Sequence, residues 1–183
     1  MDKVISYYNT KMFTDPVKNL RAFGLREDSI VADLGAGTGF YSVVAGYLAP
    51  RGKVYAVDIV KDFLATIKHK AREARLRNVE IIWGDIEKSG GTKIGAGVAD
   101  AVIASNVLHQ LKNKEQLVHE IKRILKPRGR VLLVDWSPGI LSAARVVPKH
   151  QAREMFEKGG FVWQKDINAG NYHYGMILMK INE

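Results

Sequence analysis

The chain has 183 residues, 46% of them hydrophobic and 26% charged, which suffices for one domain with a buried core but not for two ordinary domains. It contains no cysteine, which excludes disulfides and thiol chemistry, and its five histidines show no paired metal-ligand spacing, so we predict no metal. The net charge of +9 favours anionic partners, nucleic acid among them, although the basic residues are dispersed along the chain.

The first 27 residues precede the first strand, and we expect them to form a helical prefix. Asp15-Pro16 is typical of a helix start, because proline is favoured at the first helical position. The N-terminal sequence has no apolar stretch with a small-residue cleavage site, and no apolar run approaches the ~20 residues that cross a bilayer. We therefore expect a cytoplasmic protein without a membrane span.

Segments typical of strands and helices then alternate. In chain order we predict a strand over residues 29–34, a helix over 40–49, a strand over 53–59, a helix over 62–76, a strand over 78–83, a loop over 85–97, a strand over 99–104, a helix over 114–125, a strand over 130–136 and a helix over 149–158. This alternation predicts an α/β fold, a doubly wound and mostly parallel sheet with helices on both faces.

Two strands without an intervening helix end the chain. We predict them over residues 161–167 and 172–181, joined by the turn Asn168-Ala-Gly-Asn171. Such a pair forms a hairpin, so one strand at this edge of the sheet should be antiparallel.

A glycine-rich turn follows the first predicted strand. Residues 31–40 read Val-Ala-Asp-Leu-Gly-Ala-Gly-Thr-Gly-Phe. The pattern is G-x-G-x-G, whereas a dinucleotide site needs G-x-G-x-x-G, and the third glycine of that motif is replaced by Phe40. Asp33 places a carboxylate beside the turn, which repels a pyrophosphate and suits a cofactor with an ammonium and a sulfonium, S-adenosylmethionine. The alternative is that Asp33 only caps the turn.

A second acid, Asp58, ends the second predicted strand, 19 residues after Gly39. A carboxylate there accepts hydrogen bonds from ribose hydroxyls, in NAD as well as in S-adenosylmethionine. Ile59 would either form an apolar wall for the adenine or belong to the core.

Gly84-Asp85-Ile86 follows the third strand, which should lie beside the second. Asp85 can accept a hydrogen bond from the adenine amino group while the Ile86 backbone N–H faces a ring nitrogen. Alternatively, Asp85 only caps a loop.

The fourth strand ends in Ser105-Asn-Val-Leu-His-Gln110, across the switch point of the sheet. We expect the residues after Ala104, Asn106 among them, to line the sulfonium methyl group of S-adenosylmethionine and the molecule that accepts it. His109 is the candidate general base for a hydroxyl acceptor, with His150 and His173 as alternatives.

These four motifs, in this order and spacing, resemble those of the class I S-adenosylmethionine-dependent methyltransferases, and the resemblance covers nearly the whole chain. The branch it is most similar to is the small type 11 branch, related to the ubiquinone and menaquinone biosynthesis methyltransferases. Phe13-Thr-Asp-Pro16, residues 124–130 and Tyr172-His-Tyr-Gly175 support that branch. The resemblance implies one domain over residues 1–183, with a seven-stranded sheet of order 3-2-1-4-5-7-6 and strand 7 antiparallel.

The resemblance also implies which residues bind the cofactor. Tyr8 would close over it as a lid, or else pin the prefix to the core. The full cofactor-binding set implied is Tyr8, Asp33, Gly35, Ala36, Gly37, Gly39, Asp58, Ile59, Gly84, Asp85, Ile86 and Asn106.

The implied function is methyl transfer to a nucleophilic acceptor, and we expect a small molecule because no RNA- or protein-reading module is appended. The alternatives are an RNA or protein methyltransferase, a non-catalytic S-adenosylmethionine-binding subunit and, third, a dehydrogenase. Residues 105–108 lack the Asn/Asp-Pro-Pro-aromatic motif of base amino-methyltransferases, and the absence of cysteine excludes arsenite methylation. Arg145, Lys149 and Arg153 would either grip an anionic acceptor or be solvated. We expect a monomer or homodimer.

Overall fold

The computed structural model describes residues 14–139 and 146–182. Its elements in chain order are α1 (Pro16–Phe23), β1 (Ile30–Leu34), α2 (Phe40–Leu48), β2 (Lys53–Asp58), α3 (Lys61–Glu73), β3 (Val79–Trp83), β4 (Ala99–Ser105), a 3-10 turn (Leu108–Gln110), α4 (Lys114–Ile124), β5 (Leu125–Trp136), α5 (Lys149–Lys158), β6 (Phe161–Ile167) and β7 (His173–Lys180).

The sheet has seven strands in the order β3-β2-β1-β4-β5-β7-β6, which confirms the predicted order. The first five strands pair in parallel, and β7 runs antiparallel to both of its neighbours. The chain builds β2 and β3 on one side of β1 and then crosses to build β4 on the other. A cleft therefore opens between the carboxyl ends of β1 and β4, where doubly wound sheets bind ligands.

Helices cover both faces of the sheet, as the sequence predicted. Along β5, Val131 and Leu133 pack against the helices α4 and α5, while Leu132 and Val134 belong to the opposite core with α1 and α2. This alternation follows from the period of two residues in a strand. Both faces of the central strands are buried, so their carboxyl ends hold the cleft residues on a rigid frame.

The helix of the prefix begins where the sequence predicted. The Asp15 side chain accepts a hydrogen bond from the Lys18 backbone N–H, and Pro16 occupies the first turn. The helix ends before Gly24, which takes a left-handed conformation, so residues 24–27 are not helical. Residues 1–13 of the prefix lie outside the described part of the chain.

Two predicted boundaries were wrong. Helix α3 ends at Glu73 rather than at residue 76, because Arg75 adopts φ 55° and breaks the helical path. Strand β5 starts at Leu125, directly after α4, and not at Arg130. Leu125 pairs with Ala99 and the next pair is Ala101–Arg130, so residues 126–129 bulge out of the ladder.

Candidate functional site

The glycine-rich turn between β1 and α2 forms the floor of the cleft. The backbone N–H groups of Gly35 and Ala36 both donate to the Val57 carbonyl of β2, at 2.9 and 3.0 Å. Gly35 has φ 69°, and a Cβ there would lie 2.4 Å from Cγ1 of Val107. Only glycine fits this position, because any side chain would collide with the segment after β4.

Two adjoining cavities meet at this turn and share Gly35, Gly37 and Gln110. The first cavity extends toward β2 and β3 and is also lined by Asp58, Ile59, Val60, Phe63, Gly84, Asp85, Ile86, Glu87, Val107 and Leu111. The second cavity extends toward α1 and β4 and is also lined by Thr14, Pro16, Asp33, Ala36, Thr38, Phe40, Tyr41, Ser105 and Asn106. The structure thus brings together most of the residues predicted to bind the cofactor.

Asp58 ties the glycine-rich turn to the end of β2. Its Oδ2 accepts from the Gly37 N–H at 2.8 Å, and its Oδ1 accepts from the Val60 N–H at 2.9 Å. Each carboxylate oxygen keeps a further lone pair for a hydroxyl donor in the first cavity. Ile59 is 56% exposed at the cavity wall, so of its two predicted roles the core position is wrong.

Asp85 both caps a loop and lines the first cavity. Its Oδ1 accepts from the Glu87 N–H at 3.0 Å, and its Oδ2 lies 3.1 Å from Nζ of Lys88. These contacts, the backbone hydrogen bond first, hold the pKa of Asp85 below its usual value. A Cβ on Gly84 would lie 2.5 Å from the Gly91 carbonyl oxygen, so this glycine permits close passage of the loop.

Asp33 is a buried carboxylate at the inner end of the second cavity. Its side chain is 2% exposed and accepts a hydrogen bond from Oγ of Ser42 at 2.5 Å. Burial raises the pKa of Asp33 to about 7; the Ser42 hydrogen bond opposes this rise, and the charge of Asp58 adds to it. A cationic ligand in the second cavity would stabilise the ionised form.

Asn106 provides a second acceptor in the same cavity. Its Oδ1 is buried and has no hydrogen-bond partner among the described residues. Its backbone takes φ 57°, held by a hydrogen bond from its N–H to the Val134 carbonyl at 2.8 Å. An unpaired buried acceptor costs about 1–3 kcal/mol, which a ligand donor would offset. Asp33 and Asn106 together therefore fit an ammonium group.

One predicted cofactor contact, Gly39, is not found in these cavities. Gly39 lines neither of them: it has φ 83° at the start of α2, and a Cβ there would lie 2.9 Å from Cγ1 of Ile67. Its smallness lets α2 and α3 pack closely, which is a structural role. Tyr8 lies outside the described residues.

His109 lies in the 3-10 turn after β4, beside the cleft rather than in the lining of either cavity. Its Nδ1 is 3.3 Å from Oδ1 of Asp135, at the end of β5. Of the alternative bases, His150 is exposed on α5, and the ring of His173 lies tilted against that of Trp136 with centroids 4.2 Å apart. Sequence reasoning missed Asp135, although it follows an apolar strand run just as Asp58 does.

Two of the three cations predicted either to hold an anionic acceptor or to be solvated form ion pairs with acidic side chains. Lys149 pairs with Asp166, and Arg153 pairs with Glu157 at 2.8 Å while its guanidinium lies over the Trp163 ring. Both cations are about 45% exposed, so these surface pairs leave them partly solvated. Arg145, the third predicted member, lies outside the described residues.

A polar cluster from α1, which the sequence did not predict, shapes the second cavity. The Asn19 side chain donates to Oγ1 of Thr14 at 2.9 Å and to the Tyr41 hydroxyl at 2.8 Å. Thr14 and Tyr41 both line the cavity. The sequence offered one indication of this cluster, which is that Thr14 belongs to the segment Phe13-Thr-Asp-Pro16 ahead of the first strand.

In the described ranges, no helix is both long and apolar enough to cross a bilayer. Nor do these ranges bring together three or more histidine, aspartate or glutamate side chains that could hold a metal ion.

Known proteins share the sequence and fold of this chain. A family model for a methyltransferase domain matches residues 25–178. The ubiquinone/menaquinone biosynthesis C-methyltransferase of Blochmanniella pennsylvanica is 31% identical over 152 residues, 82% of this chain and 59% of that protein. The demethylmenaquinone methyltransferase of Bacillus mycoides is 27% identical over 138 residues, 75% of this chain and 56% of that protein.

A solved structure, a SAM-dependent methyltransferase from Aquifex aeolicus, superposes with a TM-score of 0.84 at 24% identity over 98% of both chains. The described part of the chain therefore has the fold of that protein. It spans less than three fifths of the length of the two curated relatives.

Proposed function

The chain belongs to the class I S-adenosylmethionine-dependent methyltransferases of the type 11 branch, and from this premise we propose that it transfers the sulfonium methyl group to a small-molecule nucleophile. The observation that carries the proposal is the pair of acceptors, Asp33 and Asn106, in a cavity that adjoins the apolar first cavity. We further propose that residues 1–183 act as one catalytic domain.

The two cavities differ in chemistry as the two halves of the cofactor do. In the first, Asp58 would accept from the ribose hydroxyls and Asp85 from the adenine amino group, while Ile59 and Ile86 supply apolar walls. In the second, Asp33 and its neighbours would hold the amino-acid part. When bound, the cofactor supplies an activated methyl group on a sulfonium.

The protein's task is then to align the acceptor with that methyl group and to exclude water. The glycine-rich turn and Asn106 are held by backbone hydrogen bonds, so they need little rearrangement on binding. His109, oriented by Asp135, would remove the proton of an acceptor that carries one.

A small-molecule acceptor is supported by the names of the two relatives, which refer to ubiquinone and menaquinone biosynthesis and to demethylmenaquinone. An RNA or protein acceptor, and a non-catalytic cofactor-binding subunit, stay as alternatives. Location in the cytoplasm and a monomeric or homodimeric state also stay predictions.

Calorimetric titration with S-adenosylmethionine, S-adenosylhomocysteine and NAD tests the cofactor assignment. We expect the first two to bind and Asp58→Ala to abolish their binding, because Asp58 both faces the ligand and holds Gly37. Asp62→Ala is the matched control, since this acid lies on α3 outside both cavities. Binding of NAD alone would overturn the proposal.

A screen of small-molecule acceptors with radiolabelled methyl donor tests the transfer itself. Incorporation into a small molecule supports the enzyme. Cofactor binding without transfer to any small molecule, RNA or protein would favour the non-catalytic subunit.

A further inference from the structure

An open cleft far along α3 from the cofactor site is lined by four cationic side chains and by no carboxylate. The cations are Lys68, Arg72, Arg75 and Arg77. None of them forms an ion pair with a carboxylate of the described residues. The acids nearest in sequence have other partners: Glu73 pairs with His69 at 3.3 Å, and Glu80 pairs with Lys53 at 2.6 Å.

The cations of this cleft lie close together on and just after α3, so they repel one another. Lys68 and Arg72 are four residues apart on one face of α3, and Arg75 follows just after the helix ends, so like charges are neighbours here. Lys61 continues the same face toward the cofactor site, about 17 Å from Arg72 at 1.5 Å per residue. An extended anionic partner would stabilise this row of cations, because its negative charges would offset the repulsion between them.

The cleft also has an apolar component. The rest of its lining is aliphatic, consisting of Ala71, Leu76, Val79 and Ile81. Trp83 stands at the other end of the edge strand β3 and is 51% exposed. The ammonium groups of Lys61 and Lys93 lie 5.7 and 5.0 Å from the centre of its ring. Tryptophan beside basic residues is typical of surfaces that meet a membrane interface.

We propose that this surface docks the protein on a lipid bilayer that carries anionic headgroups. We call it the α3–β3 face and define it by Lys61, Lys68, Arg72, Arg75, Arg77 and Trp83. The cations attract headgroup phosphates, and the aliphatic floor of the cleft accommodates the apolar part next to a headgroup. Val60 and Phe63 line the first cavity near the start of α3, so a docked protein holds its cofactor site close to the bilayer.

A bilayer fits the α3–β3 face better than a single-stranded nucleic acid does. Bases bind such surfaces by stacking on free aromatic rings. Here the Trp83 ring is already in contact with two lysines, and its Nε1 donates to the Ile59 carbonyl at 2.9 Å. The aliphatic floor between the cations can contact the apolar part of a lipid next to its headgroup, whereas a nucleic-acid backbone would place polar sugars against it.

Co-sedimentation with vesicles tests the proposal on the whole chain. We expect binding to vesicles of phosphatidylcholine mixed with phosphatidylglycerol, little binding to phosphatidylcholine alone, and release at high salt. The double variant Lys68→Gln/Arg72→Gln should bind about 25-fold more weakly, since each basic residue near an anionic surface contributes about fivefold. Trp83→Ser should weaken binding without changing its salt dependence, because no charge is removed.

The matched control is Lys18→Gln/Arg21→Gln, which removes the same charge from exposed positions three apart on α1. Calorimetry with S-adenosylmethionine shows that each variant is folded and separates this proposal from the proposed function. Three outcomes would overturn the docking surface: no binding to anionic vesicles, equal losses in the two double variants, or tighter binding of a single-stranded RNA oligonucleotide than of vesicles.

Discussion

Asp135 holds the ring of His109. Its Oδ1 lies 3.3 Å from Nδ1 of the histidine, and its Oδ2 accepts from the Leu108 N–H at 2.8 Å. The carboxylate is 2% exposed, and Oδ1 also accepts from the Trp136 N–H at 2.8 Å. A residue at the end of β5 thereby fixes the turn after β4. A carboxylate at Nδ1 favours the tautomer with its proton there, which leaves Nε2 as an acceptor.

Replacing Asp135 by asparagine should disturb that tautomer with little change in volume. With an acceptor whose nucleophile carries a proton, we expect Asp135→Asn to lower kcat about a hundredfold, because general base catalysis is worth about 10²–10⁴. The Kd for S-adenosylmethionine should stay within about twofold. Nitrogen-15 NMR of labelled histidine reports which ring nitrogen of His109 is protonated.

His109→Gln supplies the comparison for the same step. It should lower kcat by a similar factor, and the double variant should be no slower than either single one, since the two residues act as a unit. Unchanged kcat in both single variants would show that the pair is only structural.

The affinity for S-adenosylmethionine should depend on the ionisation of Asp33. Since the pKa of Asp33 is raised to about 7, its carboxyl group is mostly protonated below that pH when no ligand is bound. Binding of an ammonium group favours the carboxylate, so Asp33 then releases its proton. We expect Kd to fall as pH rises from about 6 to 7.5, where an α-amino group is still largely protonated. Calorimetry in buffers of different ionisation enthalpy measures the released proton.

Asp33→Asn should weaken binding about tenfold or more and remove this pH dependence, because the amide can accept but carries no charge. Asp85→Asn is the control, since the pKa of Asp85 lies below its usual value and contributes nothing to the pH dependence near neutrality. A pH dependence that survives in Asp33→Asn assigns the proton to another group.

Replacing Asn106 by glycine should raise the stability of the protein and lower its affinity for the cofactor. Its φ of 57° costs roughly 1 kcal/mol for a residue with a side chain, so Asn106→Gly should unfold at a higher urea concentration. It should also bind S-adenosylmethionine more weakly, because Oδ1 is lost from the second cavity. Arg128→Gly, at φ 60°, is the control that relieves similar strain without changing affinity.

Glu120 should stabilise the loop after β3. It is 1% exposed and accepts from Oγ1 of Thr92 at 2.6 Å, the Gly90 N–H at 2.9 Å and Nε of Arg123 at 2.8 Å. Burial alone would raise its pKa, but these hydrogen bonds, that from Arg123 first, lower the pKa to about 2. We expect Glu120→Gln to lose about 3 kcal/mol of unfolding free energy at pH 7.

The sign of the pH dependence follows from the lowered pKa. The stabilisation is complete above the ordinary value of 4.5 and is lost as pH falls from there through about 2. Urea unfolding across this range should therefore show a smaller acid loss in Glu120→Gln than in the native protein. Glu115→Gln, an exposed change in the first turn of α4, should leave the native acid loss intact.

Much of the fold could be predicted from local pattern. The turn at Gly35 is in part a local feature, because its φ of 69° favours glycine over residues with a side chain. The acid at the end of β2 was predictable because Asp58 follows an apolar run directly. The start of β5 was not, because its pairing with β4, and not its own composition, extends it back to Leu125.

The roles of individual site residues depended on contacts between distant segments. Gly39 was predicted to face the cofactor, and the approach of Ile67 from α3 adds a packing role that the motif does not reveal. Lys149 was predicted either to grip an anion or to be solvated, and the structure pairs it with Asp166 of β6 at the surface. Neither neighbour is visible in the residues around the motif.

The sequence by itself determined the order of the elements, the shape of the glycine-rich turn and the acids at the strand ends, because these follow from chain periodicity and glycine stereochemistry. Only the tertiary structure decided the raised pKa of Asp33, the unpaired oxygen of Asn106 and the contact of His109 with Asp135, 26 residues away. Burial, hydrogen-bond pairing and the local field are set by what the fold packs around a group, so they exist only once the strands are side by side.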